Sequence, residues 1–122
     1  MHELSLARAL LQQVDAIAAL HPGHEVAEVC VSLGPLAGVE PALLADAAQR
    51  LLPEHGHVRA KLCLREVDLL ARCAACGVSF EVRHLVFRCP ACGGGRVQIE
   101  RGDALVLQAV QLVAAGEPEE AA

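Results

Sequence analysis

The chain has 122 residues, of which only 2% are aromatic, and its formal net charge is −5. This length suits one domain, or a small core with a module held together by cross-links. The negative net charge argues against non-specific nucleic-acid binding as the main task. Charged or polar residues interrupt every apolar run before membrane-spanning length, and Glu3 stands where a signal peptide would be basic. We therefore expect a cytoplasmic protein that spans no membrane.

Hydrophobic periodicity predicts helices and strands on both sides of a cysteine-rich segment. A helical period covers residues 3–20 and returns after Pro41, a residue that suits the first position of a helix. A period of two predicts strands near 27–33 and 58–64. Residues 104–113 form an apolar stretch that we interpret as a buried strand.

The order of these elements predicts an α+β fold, with a small mixed three-stranded sheet, two helices and an inserted four-Cys zinc-ribbon module. The final strand then returns from the module to complete the sheet. We expect residues 1–69 and 98–115 to form an α/β domain and residues 70–97 to form the ribbon domain. The acidic end, 116–122, is predicted to be disordered.

Two Cys-x-x-Cys pairs lie in the inserted segment. Each pair places two thiolates on one tight turn, which we call a knuckle. Two knuckles supply the four sulfurs of a closed tetrahedral zinc site. The spacing also favours a reducing compartment over a disulfide framework. A closed site leaves no open coordination position, so we expect its role to be structural. The predicted zinc ligands are Cys73, Cys76, Cys89 and Cys92.

The first three residues form a second candidate metal site. The free amine of Met1 has an ordinary pKa of about 7.7–8.0, so a metal can displace its proton near neutral pH. This amine, the His2 imidazole and the backbone nitrogens between them would form fused chelate rings in one plane, as Ni²⁺ or Cu²⁺ favours. Glu3 would add a carboxylate. On the residues alone, the commoner interpretation is a polar terminus with an acid facing the positive end of a helix dipole.

Four short motifs follow one another in a specific order. They are Met1-His2-Glu3-Leu4-Ser5-Leu6 at the start, Gly38-Val39-Glu40-Pro41 before the second helix, Phe87-Arg88-Cys89-Pro90-Ala91-Cys92-Gly93 at the second knuckle and Gly102-Asp103-Ala104-Leu105 at a turn. In this combination the chain resembles the HypA/HybF family of hydrogenase maturation nickel metallochaperones. The resemblance covers nearly the whole chain and stops at the acidic tail. Family members often carry an aromatic residue where this chain has Ala47 and Ala48.

The resemblance implies structural Zn(II) at the four cysteines and Ni(II) as cargo at the amine of Met1, at His2 and around Glu3. It implies delivery to the large subunit of [NiFe] hydrogenase with a GTPase partner. In some relatives a urease accessory protein is a further partner. The resemblance is also compatible with a homodimer. The sequence contains no P-loop motif, so we expect a protein that is not an enzyme and uses a partner for any nucleotide-driven step.

The residues alone leave two other functions open. One is a zinc-ribbon interaction or nucleic-acid-binding module, against which stand the acidity and the scarcity of aromatic residues for stacking. The other is a rubredoxin-like iron electron carrier, which a redox-sensitive colour would distinguish from a zinc protein.

The remaining histidines and cysteines have weaker signals. The pairs His21/His24 and His55/His57 could bind a stray divalent ion, but solvated loop histidines are commoner. His84, between the knuckles, could sense metal or pH. Cys30 and Cys63 are expected to be partly buried thiols that need not pair, and Asp15 and Glu25 to be solvated charges.

Overall fold

In the computed structural model, residues 2–116 are described. The predicted disorder at 117–122 lies outside them. The α+β class with a small mixed three-stranded sheet is confirmed, and neither helix of the described chain is long and apolar enough to cross a membrane. The elements are α1 (His2–Ala19), β1 (His24–Leu33), α2 (Pro41–Glu54), β2 (Lys61–Glu66), β3 (Leu70–Cys73), β4 (Ser79–Glu81), β5 (Val97–Arg101) and β6 (Leu105–Ala114).

The two helices pack against each other through apolar stripes. Helical spacing places the buried residues of each helix on one face, where they are removed from water together. Pro41 occupies the start of α2, where its missing N–H would have had no helical partner. The buried residues are Ala7, Leu10, Leu11 and Val14 on α1, and Leu44, Ala48, Leu51 and Leu52 on α2.

The first sheet has the strand order β2-β1-β6, so β1 is the central strand. Val29, Val31 and Leu33 recur at every second position of β1 and are all buried. The expectation that the last strand is buried is wrong. None of the residues of β6 is buried, and Val106 is 42% exposed. The reason is position, because β6 lies at an edge of the sheet.

The second strand also begins later than its sequence period indicates. Val58 is 74% exposed, and the residues before β2 form a turn in which the Ala60 N–H donates to the His57 carbonyl at 3.2 Å. The alternation from Val58 onward therefore includes turn residues, and β2 itself runs from Lys61 to Glu66.

The inserted segment forms its own three-stranded antiparallel sheet, in the order β4-β3-β5. The central strand β3 contributes Ala71 to a small core with Leu69 and Val82, against which Phe80 and Phe87 pack. The two aromatic residues of the chain thus both stabilise this small core.

Two compact units result. Within the described residues the first comprises 2–31, 39–65 and 106–116, and the second comprises 32–38 and 66–105. The domain limits of 1–69 with 98–115 and of 70–97 stay a prediction.

Two backbone segments of the second unit touch at a pair of glycines. A Cβ on Gly34 would overlap the backbone of Gly102, and Gly102 itself has φ +107, a conformation that favours glycine. The Leu36 N–H donates to the Gly102 carbonyl at 2.8 Å, and the Gly34 N–H donates to the Ala104 carbonyl at 3.1 Å. The Gly102-Asp103 turn of the sequence therefore serves close backbone packing.

Candidate metal centre

The four predicted zinc ligands meet in the second unit. Their Sγ atoms all lie within 4.8 Å of one another, with Cys73 and Cys92 at 3.5 Å and Cys76 and Cys89 at 3.6 Å. Four sulfurs about 2.3 Å from a tetrahedral zinc would lie about 3.8 Å apart, so the spacing fits this ion. All four cysteines are free thiols. The cluster can hold a metal such as zinc.

Each Cys-x-x-Cys pair is shaped by the same turn. The Gly77 N–H donates to the carbonyl of Cys73 at 2.9 Å, and the Gly93 N–H donates to the carbonyl of Cys89 at 2.8 Å. Both glycines have positive φ, +79 and +75, which a residue with a Cβ adopts only with strain. The two knuckles are thus built alike, although they come from different parts of the chain.

The first cysteine of each knuckle is buried and surrounded by N–H donors. The backbone N–H of Cys76, followed by that of Ala75, lowers the pKa of Cys73 to about 7 despite burial. The backbone N–H of Cys92 likewise lowers the pKa of Cys89 more than burial raises it. Because these donors stabilise the charged sulfur, the backbone is arranged for thiolates.

The second cysteine of each knuckle is exposed. The Val78 N–H favours the Cys76 thiolate, but the hydrogen bond to Cys89, burial and the other thiols outweigh it and raise the pKa of Cys76 to about 12. At Cys92 the Gly94 N–H lowers the pKa, while the hydrogen bond to Cys73 leads the opposing effects, and the net shift is upward. Ionisation of all four adjacent sulfurs is therefore unfavourable without a cation between them, and a divalent metal stabilises that arrangement.

The other predicted site lies at the start of α1. Met1 is outside the described residues. His2 is exposed at the first position of the helix. Glu3 is half-buried, and its Oε2 accepts the Glu40 N–H at 3.3 Å. This N–H, followed by the backbone N–H of Glu3 itself, lowers the pKa of the Glu3 carboxyl, so that it is ionised at neutral pH.

The Glu3–Glu40 contact was not predicted from the sequence. Glu40 is the N-cap residue of α2, and its own side chain makes no capping hydrogen bond. The carboxylate of Glu3, from the other helix, instead accepts the N–H of Glu40 itself and lies near the positive end of the α2 dipole. Only the packing of α1 on α2 reveals this pairing, because 37 residues separate the partners.

A groove of about 430 Å³ lies between the two helices beside Glu3. Leu4, Leu43 and Ala47 give it an apolar part. Its charged lining residues are of both signs: Glu3, Arg8, Asp46, Arg50 and Glu54. Ala47 is one of the two positions at which the resemblance leads us to expect an aromatic residue, and its small side chain leaves space at this surface.

The loop histidines have different surroundings. His55 Nδ1 and His57 Nε2 each lie 2.7 Å from a carboxylate oxygen of Asp15. Asp15 is therefore more than the solvated charge we expected: its side chain is 41% exposed, and it also joins α1 to the loop after α2. His21 and His24 stack edge to face, with ring centroids 6.3 Å apart.

Glu25 lies 4.0 Å from Arg59, so it too has an ionic partner. His84 is exposed in the second unit with φ +54. Its position does not place it among the four thiols of the cluster.

Residues 1–112 match the protein family described as "Hydrogenase/urease nickel incorporation, metallochaperone, hypA". The chain is 33% identical over 116 residues to the hydrogenase maturation factor HypA of Chlorobium limicola, covering 92% of this chain and 97% of that protein. It is 33% identical over 112 residues to the hydrogenase maturation factor HypA of Aquifex aeolicus, again covering 92% and 97% of the two chains.

The fold is similar to the solution structure of the Ni metallochaperone HypA from Helicobacter pylori, with TM-score 0.69 and 21% identity over 92% of this chain and 97% of that chain. A second solution structure of a HypA protein has TM-score 0.73 and 22% identity over 93% and 98% of the two chains. These two likenesses show the fold. The family match and the relatives at 33% identity show that the chain belongs to the HypA family of hydrogenase/urease nickel-incorporation metallochaperones.

Proposed function

We propose that this chain binds Ni(II) at its N-terminus and delivers it during maturation of [NiFe] hydrogenase, and in some settings of urease. The nickel ligands are the amine of Met1, the imidazole of His2 and the backbone or carboxylate of Glu3. Family membership supports nickel as the cargo, and the observation that carries the choice of site is the exposure of His2 next to an anchored Glu3.

A delivery site needs a fixed geometry to bind the ion and an accessible surface to release it. The contact between Glu3 and the Glu40 N–H holds the first turn of α1 against the start of α2, which limits the conformations that the chelating backbone can sample. His2 is exposed, so a partner can approach its imidazole. Nickel would then be held by nitrogen ligands at the surface and released to a competing set of ligands.

The four-Cys cluster would hold zinc as a structural metal. Zinc bound to four sulfurs has no free coordination position, so it stabilises the fold and takes no part in a reaction. The chain's own contribution is the set of backbone N–H donors around Cys73 and Cys89, which orient the thiolates before the metal binds.

The remaining steps need partners. We propose two partners, a GTPase of the nickel-insertion machinery and the large subunit of [NiFe] hydrogenase. A urease accessory protein would be a third partner where the chain serves urease. No enzymatic activity is assigned to the chain itself, because delivery requires binding and release of the ion and no covalent change in a substrate.

The test is a nickel titration of tag-free protein that begins at Met1, beside His2→Ala and His24→Ala, with bound zinc counted in all three. Wild type and His24→Ala, the exposed-histidine control, should each bind one nickel per chain. His2→Ala should lose at least about 100-fold in nickel affinity, as expected for losing a chelating ligand, with zinc unchanged.

Equal nickel affinity in wild type and His2→Ala would overturn the N-terminal site. A fall in both metals would instead show that the substitution disturbs the fold, and far-UV circular dichroism of His2→Ala separates that case from the loss of a ligand.

A further inference from the structure

Two exposed histidines lie at the ends of one tight turn between α1 and β1. The His24 N–H donates to the His21 carbonyl at 3.2 Å, with Pro22 and Gly23 between them. Gly23 has φ +83, and a proline followed by a residue of positive φ is typical of a type II turn. Such a turn holds the Cα atoms of its first and last residues within about 7 Å of each other. The sequence His-Pro-Gly-His therefore brings two imidazoles to one place.

The backbone on both sides of this turn is fixed by hydrogen bonds. The His21 N–H donates to the Ala18 carbonyl in the last turn of α1 at 3.1 Å. The Gly23 carbonyl accepts the Ala115 N–H, which follows β6, at 2.8 Å. Ligands carried by a fixed backbone lose little conformational freedom when they bind an ion, so the turn is pre-organised.

The two imidazole rings are spaced for one shared ion. Their centroids lie 6.3 Å apart, and their planes meet at 79°. With a metal–nitrogen distance of about 2.1 Å, two rings on one ion have centroids about 4.5 Å apart at neighbouring positions and about 6.4 Å apart at opposite positions. The observed distance lies at the upper end of this range. Both side chains are exposed, and the torsion that turns a histidine ring is broad, so both rings can face an ion without movement of the backbone.

One ring nitrogen of His24 already has the partner that metal-binding histidines commonly use. Its Nδ1 lies 3.4 Å from the Pro22 carbonyl. A carbonyl accepts only from a protonated nitrogen, so this long contact assigns the N–H of the neutral ring to Nδ1 and leaves the lone pair on Nε2. A backbone carbonyl at the other nitrogen orients the ring of a metal-binding histidine in the same way.

The space around the turn suits an ion that keeps part of its water. A Cβ placed on Gly23 would meet nothing within 4 Å. Among the described residues, only the four cysteines form a group of three or more ligand atoms that could hold a metal. An ion at the turn would therefore have two protein ligands and complete its coordination with water, which makes the site open and the ion exchangeable.

We propose that His21 and His24 form a second, low-affinity site for one divalent transition-metal ion of the class that imidazole favours, namely nickel, copper or zinc. The site is separate from the N-terminus. The intervening helix α1 has 18 residues, so it is about 27 Å long, and no ion can contact both of its ends. This inference does not depend on the proposed nickel delivery. Two imidazoles hold an ion less tightly than fused chelate rings, so the turn should fill at nickel concentrations well above those that fill the N-terminal site.

The test is a titration of the tag-free, zinc-loaded full chain with Ni²⁺ alone, up to about 1 mM free ion, followed by two-dimensional ¹H–¹⁵N NMR. Nickel that keeps water ligands is paramagnetic and broadens the signals of nearby amides. After the first equivalent, the signals of residues 20–25 should broaden in wild type. His21→Ala and His24→Ala should each weaken this second binding event at least about tenfold, as expected for losing one of two ligands.

The matched control is His84→Ala, which removes an exposed histidine of the second unit. It should leave the broadening at the turn and its midpoint unchanged. Spectra recorded before nickel is added show whether each variant is folded. If His24→Ala is not, His24→Phe replaces it, because phenylalanine keeps a flat ring without a nitrogen.

Three outcomes would overturn the site. They are broadening that centres on the four cysteines or on the loop of His55 and His57, an equal midpoint in wild type and His24→Ala, and an equal loss of affinity in His84→Ala. The same spectra locate the first nickel ion at the start of α1 or elsewhere. Failure of the N-terminal site and failure of the turn site are therefore observed separately.

Discussion

The proposed zinc and nickel sites differ in how they are built, because the first is closed and the second is open. The four-Cys cluster is assembled from two turns of the same shape, each with a buried cysteine and a glycine of positive φ. The proposed nickel site has an exposed histidine at the start of a helix and one anchoring hydrogen bond from Glu3. A closed site retains its metal, and an open one exchanges it.

The largest expected effect is removal of a closed-site ligand. Cys73→Ala should lose zinc, and because structural zinc binds with about 10–16 kcal/mol in small domains, the second unit should no longer unfold cooperatively. Zinc content by atomic spectroscopy and thermal unfolding are the measurements. Cys63→Ser is the matched control and should keep its zinc; retained zinc and unchanged melting in Cys73→Ala would contradict the assignment.

A second prediction asks whether zinc alone holds the second unit together. Gly34→Ala places a Cβ against the backbone of Gly102 and should lower the unfolding free energy by about 3–5 kcal/mol while the cysteines stay intact. The control is Gly95→Ala, since nothing lies within 4 Å of a Cβ there. Chemical denaturation of the zinc-loaded protein measures both. Equal stability of the two variants would show that the backbone contact is dispensable.

The open site can be broken without touching a side chain. One glycine placed ahead of Met1 moves the amine out of the chelate and should weaken nickel binding about 100-fold, or about 2.7 kcal/mol, with zinc unchanged. Isothermal titration against protein with the native start measures the difference. Undiminished affinity would move nickel away from the terminal amine.

The smallest predicted effect concerns Asp15. Burial raises the pKa of its carboxyl, but the hydrogen bonds with His55 and His57 outweigh burial and lower the pKa below its usual 3.8. A carboxyl with a lowered pKa stabilises the fold above its unfolded pKa, and this contribution is lost as the pH falls through its folded value. Asp15→Asn should therefore be less stable than wild type at pH 7, and the difference should shrink below about pH 4.

The size of that difference is limited by solvent, because the Asp15 side chain is 41% exposed. We expect less than about 1 kcal/mol. Urea unfolding at pH 7 and at pH 3 is the measurement. Asp46→Asn, which breaks an exposed ion pair with Arg50, is the control and should change stability by at most about 0.5 kcal/mol at pH 7. A stability difference for Asp15→Asn that grows in acid would contradict a lowered pKa at Asp15.

Local spacing was enough to predict several features of this chain. The helices, the central strand and the shape of each Cys-x-x-Cys turn follow from residues a few positions apart, whose geometry is set by helical period, strand alternation or a tight turn. The meeting of the two turns was predicted from the ligand chemistry of zinc, which needs four sulfurs. The resemblance of the N-terminal and knuckle motifs added the family, which the comparisons show. The nickel and zinc ligands themselves stay proposals.

Other features depend on residues far apart in the chain, and the tertiary structure decided them. Whether β6 is buried depends on its place at the edge of the sheet. The contact of Glu3 with the start of α2 and the joint contact of Asp15 with two histidines each join residues more than 30 positions apart. Periodicity specifies which face a residue occupies but not which element packs against that face, and these contacts require that second piece of information.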